Sequence, residues 1–257
     1  MKNILPFLFL GFLLLAAPAA AKDDNKQSLT QIDTGIIKEI LKSDLILLDN
    51  NKRYKLDNIL VPVHEEEPAV TALKTLLLNK QVVVYTYHEP NTAKDRYGIP
   101  LAHVFRDDGI WVQGDLVSKG LAWAFSSETS REMTGDLKLA EANARAQNLG
   151  FWANADHAVK TPYNLKDSIN SFQIVEGKVM YVTARKEAIY LNFGREWKED
   201  FTIELPKDYL QFFVGKTGGR FDPEIWKDRI VRVRGWVEEK SGPMITLTHL
   251  EQIDIIK

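Results

Sequence analysis

One stretch constrains this chain more than any other: a turn that runs directly into an alternating strand and then into a short capped helix. Asp95-Arg96-Tyr97-Gly98-Ile99-Pro100 supplies a glycine where a tight turn favours positive φ, and Leu101-Ala102-His103-Val104-Phe105 follows as a β run. Trp111 to Ala122 then places Val112, Leu116 and Val117 on one face and closes with Gly120, where a helix C-cap belongs. Turn, strand and helix form one local unit.

The flanking sequence is punctuated in the same way. Strand-like runs cover Gly35 to Ile40, Leu45 to Leu48 and Arg53 to Val61, with Asp49-Asn50-Asn51-Lys52 as a hairpin turn whose asparagines tolerate positive φ. Pro62 ends the third run, Glu65-Glu66-Glu67-Pro68 starts a helix, and Ala69 to Leu78 has the apolar spacing of a helix packed on a sheet. Gln81 to Tyr87 is again a strand, and Gly135 to Asn148 is a further helix ended by Leu149-Gly150-Phe151-Trp152.

This order, with the Asp95 to Phe105 turn and strand, the Trp111 to Ala122 helix and the Gly-Phe-Trp ending, resembles the staphylococcal-nuclease (thermonuclease) family. The family pattern "D-[KR]-Y-G-R-x-L-A" is nearly complete in Asp95 to Ala102; Ile99 stands where the family carries arginine. The resemblance covers roughly Thr34 to Asn154. It implies an α+β, mostly β architecture: a five-stranded OB barrel with three helices.

Asp156 to Ser168 is polar, contains Pro162 and reads as a linker. Beyond it, strand patterns recur at Phe172 to Val182, Ala188 to Phe193, Phe201 to Leu205, Arg229 to Val237, Met244 to Thr248 and Gln252 to Ile256. A helical segment around Lys207 to Val214 and a Gly218-Gly219 turn interrupt them. These strand runs, with one helical interruption, suggest a second small barrel. This half resembles the OB-like tail of some exported bacterial thermonuclease-like proteins. The expected plan is a leader at 1–21, a thermonuclease-like domain at 30–155, a linker at 156–170 and an OB-like β domain at 171–257.

The leader expectation rests on Lys2, an apolar run from Ile4 to Leu15 and small residues from Ala16 to Ala21 ahead of Lys22-Asp23-Asp24. The run is shorter than the roughly 20 residues of a spanning helix. Export to the periplasm or beyond follows from it, with no transmembrane segment after cleavage. The chain has no cysteine, which excludes disulfides and thiolate metal sites. Its 33 basic and 35 acidic residues give a net charge of −2. That balance weighs against strong nonspecific nucleic-acid binding, which needs a basic excess or stripe.

In active members of the family, aspartates and a carbonyl hold calcium, a glutamate handles water and two arginines grip the phosphate. Asp44 falls at the first metal aspartate, so it is a candidate calcium ligand. Lys55 falls at the first arginine, keeping the charge but losing the bidentate fork. Leu60 falls at the second aspartate, Val63 at the glutamate and Ile99 at the second arginine. Glu65, Glu66 and Glu67 follow closely enough to be weighed as substitutes, although an acidic cluster that starts a helix is the plainer reading.

These losses point to a protein without catalysis that acts as a binding or interaction module and needs no cofactor. An active calcium-dependent nuclease and an envelope scaffold for protein or polysaccharide are the alternatives. Tyr97, Tyr190, Phe193, Trp197 and Trp236 are candidate stacking residues on barrel faces. Arg232 and Arg234, two apart on one strand, project to one face and with Arg195 and Lys198 form a candidate basic patch. Weak binding of nucleic acid, polysaccharide or protein is expected there. His103, inside its strand, reads as structural.

Overall fold

In a computed structural model, residues 29–87, 93–131, 133–196, 200–213 and 221–257 are described. The expected leader, Lys198 and the Gly218-Gly219 turn lie outside them. The first half contains β1 (Thr30–Lys42), β2 (Leu45–Leu48), β3 (Arg53–Leu56), β4 (Ile59–Leu60), α1 (Glu66–Leu77), β5 (Gln81–Thr86), β6 (Leu101–Arg106), α2 (Val112–Ser118), β7 (Trp123–Ala124) and α3 (Thr134–Ala146). Five of these strands form a closed barrel in the order β1-β2-β3-β6-β5. β1 closes the ring because it is long enough to pair twice, with β5 through Thr30 to Ile36 and with β2 through Ile37 to Lys42.

Alternation along the strands sends Ile37, Ile46, Leu48, Leu56, Val82 and Val104 inward, where each is fully buried or nearly so. α1 covers this core with Leu73 and Leu77, and α2 with Val112, Leu116 and Val117. Burying a side chain of this size contributes about 1.5–3 kcal/mol, so the barrel and the helices that cap it hold one another in place.

Two glycines fix where α2 ends. Gly120 takes φ +65°, and a Cβ there would lie 2.1 Å from the Leu149 carbonyl oxygen. Gly150, at φ +54°, faces back so that its own Cβ would lie 2.1 Å from the Gly120 oxygen. The backbones after α2 and α3 therefore touch directly, and the Phe151 amide donates to the Gly120 oxygen at 3.0 Å.

The third strand is shorter than its apolar pattern predicts. It breaks at Asn58, which is buried at φ +58°. Its side-chain amide donates to the Ser130 oxygen at 2.8 Å and the Phe125 oxygen at 3.3 Å, and its Oδ1 lies 3.1 Å from Nε2 of His103. Ile59 and Leu60 consequently leave the barrel and pair with Ala124 and Trp123.

The second half contains β8 (Phe172–Lys178), β9 (Tyr181–Ala184), β10 (Ala188–Asn192), β11 (Thr202–Pro206), β12 (Ile230–Trp236), β13 (Glu238–Glu239), β14 (Pro243–Thr246) and β15 (Ile253–Ile255). In place of one ring, these strands make a five-stranded sheet ordered β13-β14-β11-β10-β9 and a three-stranded sheet ordered β15-β12-β8. The run predicted as one strand over Phe172 to Val182 divides at Val179–Met180, where the chain passes from one sheet to the other. Ile189, Leu191, Ile203, Leu205 and Ile245 from the first sheet meet Val175, Val231, Val233 and Ile253 from the second in one core. Lys207–Phe212 is a 3-10 turn in place of the expected helix.

The polar segment 156–170 is more than a tether. Leu165 is buried in the second core, and the Glu176 amide bonds to the Lys160 oxygen at 2.9 Å. Phe172 and Ile174 pack with Trp123, Ala144, Phe151 and Trp152 of the first half in a third apolar cluster. Among the described residues, no helix is long and apolar enough to cross a membrane.

Candidate functional site

The β1–β2 turn, the end of β3, the chain after β4 and the Asp95–Ile99 turn surround a cleft of about 530 Å³. Asp44 stands in the turn because Leu45 resumes pairing with Lys42 across it. Lys55 projects from β3, and its Nζ lies 3.1 Å from Asp44 Oδ2, with both side chains partly exposed. Leu60 and Ile99 contribute apolar wall, and Glu66, at the start of α1, faces the same space.

Asp95 organises its own turn. Its Oδ1 accepts the amides of Tyr97 and Ile99 at 2.9 Å each, while its carbonyl accepts the Gly98 amide at 2.9 Å. Burial alone would raise its carboxyl, but the Ile99 and Tyr97 amides, with Lys55 and Arg96 nearby, hold it below the ordinary aspartate range. Tyr97 projects at the rim, 72% exposed, with the Arg96 guanidinium 4.9 Å from its ring centre.

Asp44, Lys55, Leu60 and Ile99, the positions to which the family resemblance points, thus come together, and Tyr97, a candidate stacking residue, joins them at the rim. Val63 sits apart from the cleft walls and is 78% exposed. Of the three glutamates weighed as substitutes, Glu66 lines the cleft and Glu65 turns away to His157, 3.5 Å distant. The sequence offers Glu66 only as one of three neighbouring glutamates and Asp95 only as part of its turn, because only the folded chain brings them beside Asp44. Calcium takes six to eight oxygen ligands, and among the described residues no group of three or more acidic or histidine side chains converges as a metal cage.

The candidate basic patch is dispersed. Arg232 donates through Nε and Nη2 to Glu176 Oε2, at 3.0 and 2.6 Å. Arg234 is buried, so it is not a surface ligand. Its Nη2 lies 2.9 Å from Glu141 Oε2, and its Nη1 bonds Glu141 Oε1 at 3.2 Å and the Ala124 oxygen at 2.8 Å. The reason is its position on β12, whose outer face is covered there by α3 and β7 of the first half. Trp236 is half exposed beside a separate cavity between the halves. Phe193 is core, at 1% exposure. Trp197 lies outside the described residues. Arg195 and Tyr190 do share a place, a groove on the outer face of the five-stranded sheet.

The likeness seen in the sequence extends to known proteins. Residues 50–154 match the family model described as Staphylococcal nuclease homologue, which spans β3 to the end of the first half. Over 128 residues the chain is 30% identical to a protein of Escherichia coli O157:H7 described as an "Uncharacterized endonuclease", and equally to one of the same description from Escherichia coli. The aligned part is 48% of this chain and 78% of each relative. The barrel, the turn of Asp95 and the two touching glycines all fall within the region of that match or beside it, and the chain belongs to the staphylococcal nuclease homologue family.

Proposed function

We propose that this chain is an exported member of the family that does not hydrolyse phosphodiesters and works as a binding module built from a nuclease-like barrel and an OB-like second half. The observation that carries this reading is the ion pair between Asp44 and Lys55, 3.1 Å apart, in a cleft walled by Leu60 and Ile99. Phosphodiester hydrolysis needs an oxygen-rich metal cage, an activated water and fixed cations for the charge that builds on phosphorus. Here the one family aspartate already has an ammonium partner. Leucine and isoleucine supply neither ligand nor donor. Each missing transition-state donor costs about 10² to 10³ in rate.

A second reading, an active calcium-dependent nuclease, is favoured by a separate observation: Asp44, Glu66 and Asp95 all line the same cleft. The relatives' description as endonucleases belongs with it. One assay separates the two. Purified protein with calcium is incubated with single-stranded DNA, duplex DNA and RNA, and no cleavage is expected. Calcium-dependent cleavage that disappears in Asp44→Ala or Glu66→Gln establishes the nuclease instead.

A further inference from the structure

A groove of about 700 Å³ lies away from the family cleft, on the outer face of the β9-β10-β11 part of the five-stranded sheet. Its volume is in the range of small-ligand sites. The sheet is two-faced by alternation. Ile189, Leu191, Ile203 and Leu205 point into the core, so Tyr190, Asn192, Thr202 and Glu204 point out. The register puts Tyr190 opposite Thr183 and Glu204, and Asn192 opposite Tyr181 and Thr202. The floor is therefore a grid of two tyrosines among hydroxyl, amide and carboxylate groups.

The charges on this floor are placed unevenly. Glu204, at its centre, is held in a fixed position: Oε1 accepts from Tyr190 OH at 3.2 Å, and Oε2 from Thr246 Oγ1 at 3.2 Å and Lys240 Nζ at 3.4 Å. Lys240 is shared with Glu238 at 2.8 Å, so its charge is already answered. Arg185 and Arg195 also line the groove, and among the described residues neither is in an ion pair. The Arg185 amide bonds the Ala188 oxygen at one end of β10, while Arg195 follows Asn192 at the other. β10 itself, four steps of an extended strand, separates the two ends by about 13 Å.

We propose that this groove binds an acidic oligosaccharide, a short run of sugar rings carrying uronic carboxylates. The proposal deepens the binding-module reading and rests on it. Tyr181, 41% exposed, and Tyr190 offer flat amphipathic faces to the rings, and the polar groups between them match ring hydroxyls. The open arginines at the two ends suit carboxylates, which guanidinium meets with two parallel hydrogen bonds. A nucleic acid strand fits less well, because it carries a phosphate at every residue and one would fall against Glu204. A carboxylate retains lone-pair capacity for a hydroxyl donor at that same point.

The test is calorimetric titration of the full chain with an acidic tetrasaccharide in which uronate and neutral rings alternate, beside a neutral tetrasaccharide and an oligothymidylate. Saturable binding of the uronate is expected, at least tenfold tighter than of either comparator and weakening as salt rises. It should fall at least tenfold in an Arg185→Ala, Arg195→Ala double variant and in Tyr181→Ala. All three positions are partly or fully exposed, so the variants should stay folded. Absence of uronate binding at millimolar concentration, tighter binding of oligothymidylate, or uronate binding unchanged in the double variant overturns the proposal. None of these results bears on the nuclease assay, so the loss of this ligand and the loss of the non-catalytic reading are separate outcomes.

Discussion

Replacing Arg234 by alanine should uncouple the two halves of the molecule at a large and specific cost. The Arg234 and Glu141 side chains are 4% and 1% exposed, and three hydrogen bonds of 2.8–3.2 Å tie the guanidinium to Glu141 and Ala124. Without it, the buried Glu141 carboxylate keeps the Ala124 amide at 3.0 Å and Arg145 at 3.7 Å. Breaking a buried pair by removing one partner costs about 3–5 kcal/mol, most of it from the charge left behind. For a chain of this length each kcal/mol moves Tm by about 2–4 °C, so Arg234→Ala should lower Tm by roughly 6–20 °C. Urea unfolding followed by circular dichroism and tryptophan fluorescence is the assay. The Arg234→Met, Glu141→Leu double variant should recover part of the loss, because two apolar groups need no counter-charge while the Ala124 amide and oxygen lose these partners. A loss under about 1 kcal/mol in the single variant, or a double variant no better than the single, refutes the reasoning.

Burial, with Arg131 and Lys138 adding to it, lowers the His249 imidazole to about 4, so it is neutral in the fold. The unfolded chain then binds the extra proton first, and stability should decline as pH falls from about 6.5 to 4, by about 3 kcal/mol in all. Unfolding curves at pH 7, 5 and 4 check this, and His249→Gln should flatten that part of the profile. A profile equally steep in the variant would assign the loss to other groups. Gly150→Ala should cost about 1–3 kcal/mol for backbone strain alone, plus a clash with the Gly120 oxygen, while Gly135→Ala, which meets nothing within 4 Å, should not destabilise. Equal stability of the two variants in a thermal melt would rule out the contact between the two chain turns.

The elements that sequence predicted well are those specified locally. The Asp95 turn carries its glycine, its hydrogen-bond acceptor and its strand within eleven residues, and the α2 signal carries its own C-cap. Alternation was enough to place the barrel strands and to assign Arg232 and Arg234 to one side of β12. Their partners were not legible, because Glu176 and Glu141 lie 56 and 93 residues away. The break at Asn58 was hidden for the same reason: an apolar run looks continuous until Ser130, 72 residues on, supplies the acceptor that rewards a left-handed asparagine. In the cleft, Asp44, Lys55 and Ile99 could be read from family spacing. Glu66 could be named only as one of three neighbours, since which glutamate faces inward depends on where the chain turns into α1.

The contact between Glu141 and Arg234 also has a consequence for biosynthesis. Chains emerge from the ribosome N-terminus first, and domains fold largely in that order. When the barrel is complete, its outer side still presents Trp123, Phe151 and Trp152, whose covering residues Phe172 and Ile174 come later. Glu141 must likewise stay hydrated until β12 delivers its partner 93 residues downstream. The nascent first half therefore carries a sticky, charge-bearing flank for the time needed to make most of the second, and that interval is when a holding chaperone would have a surface to grip.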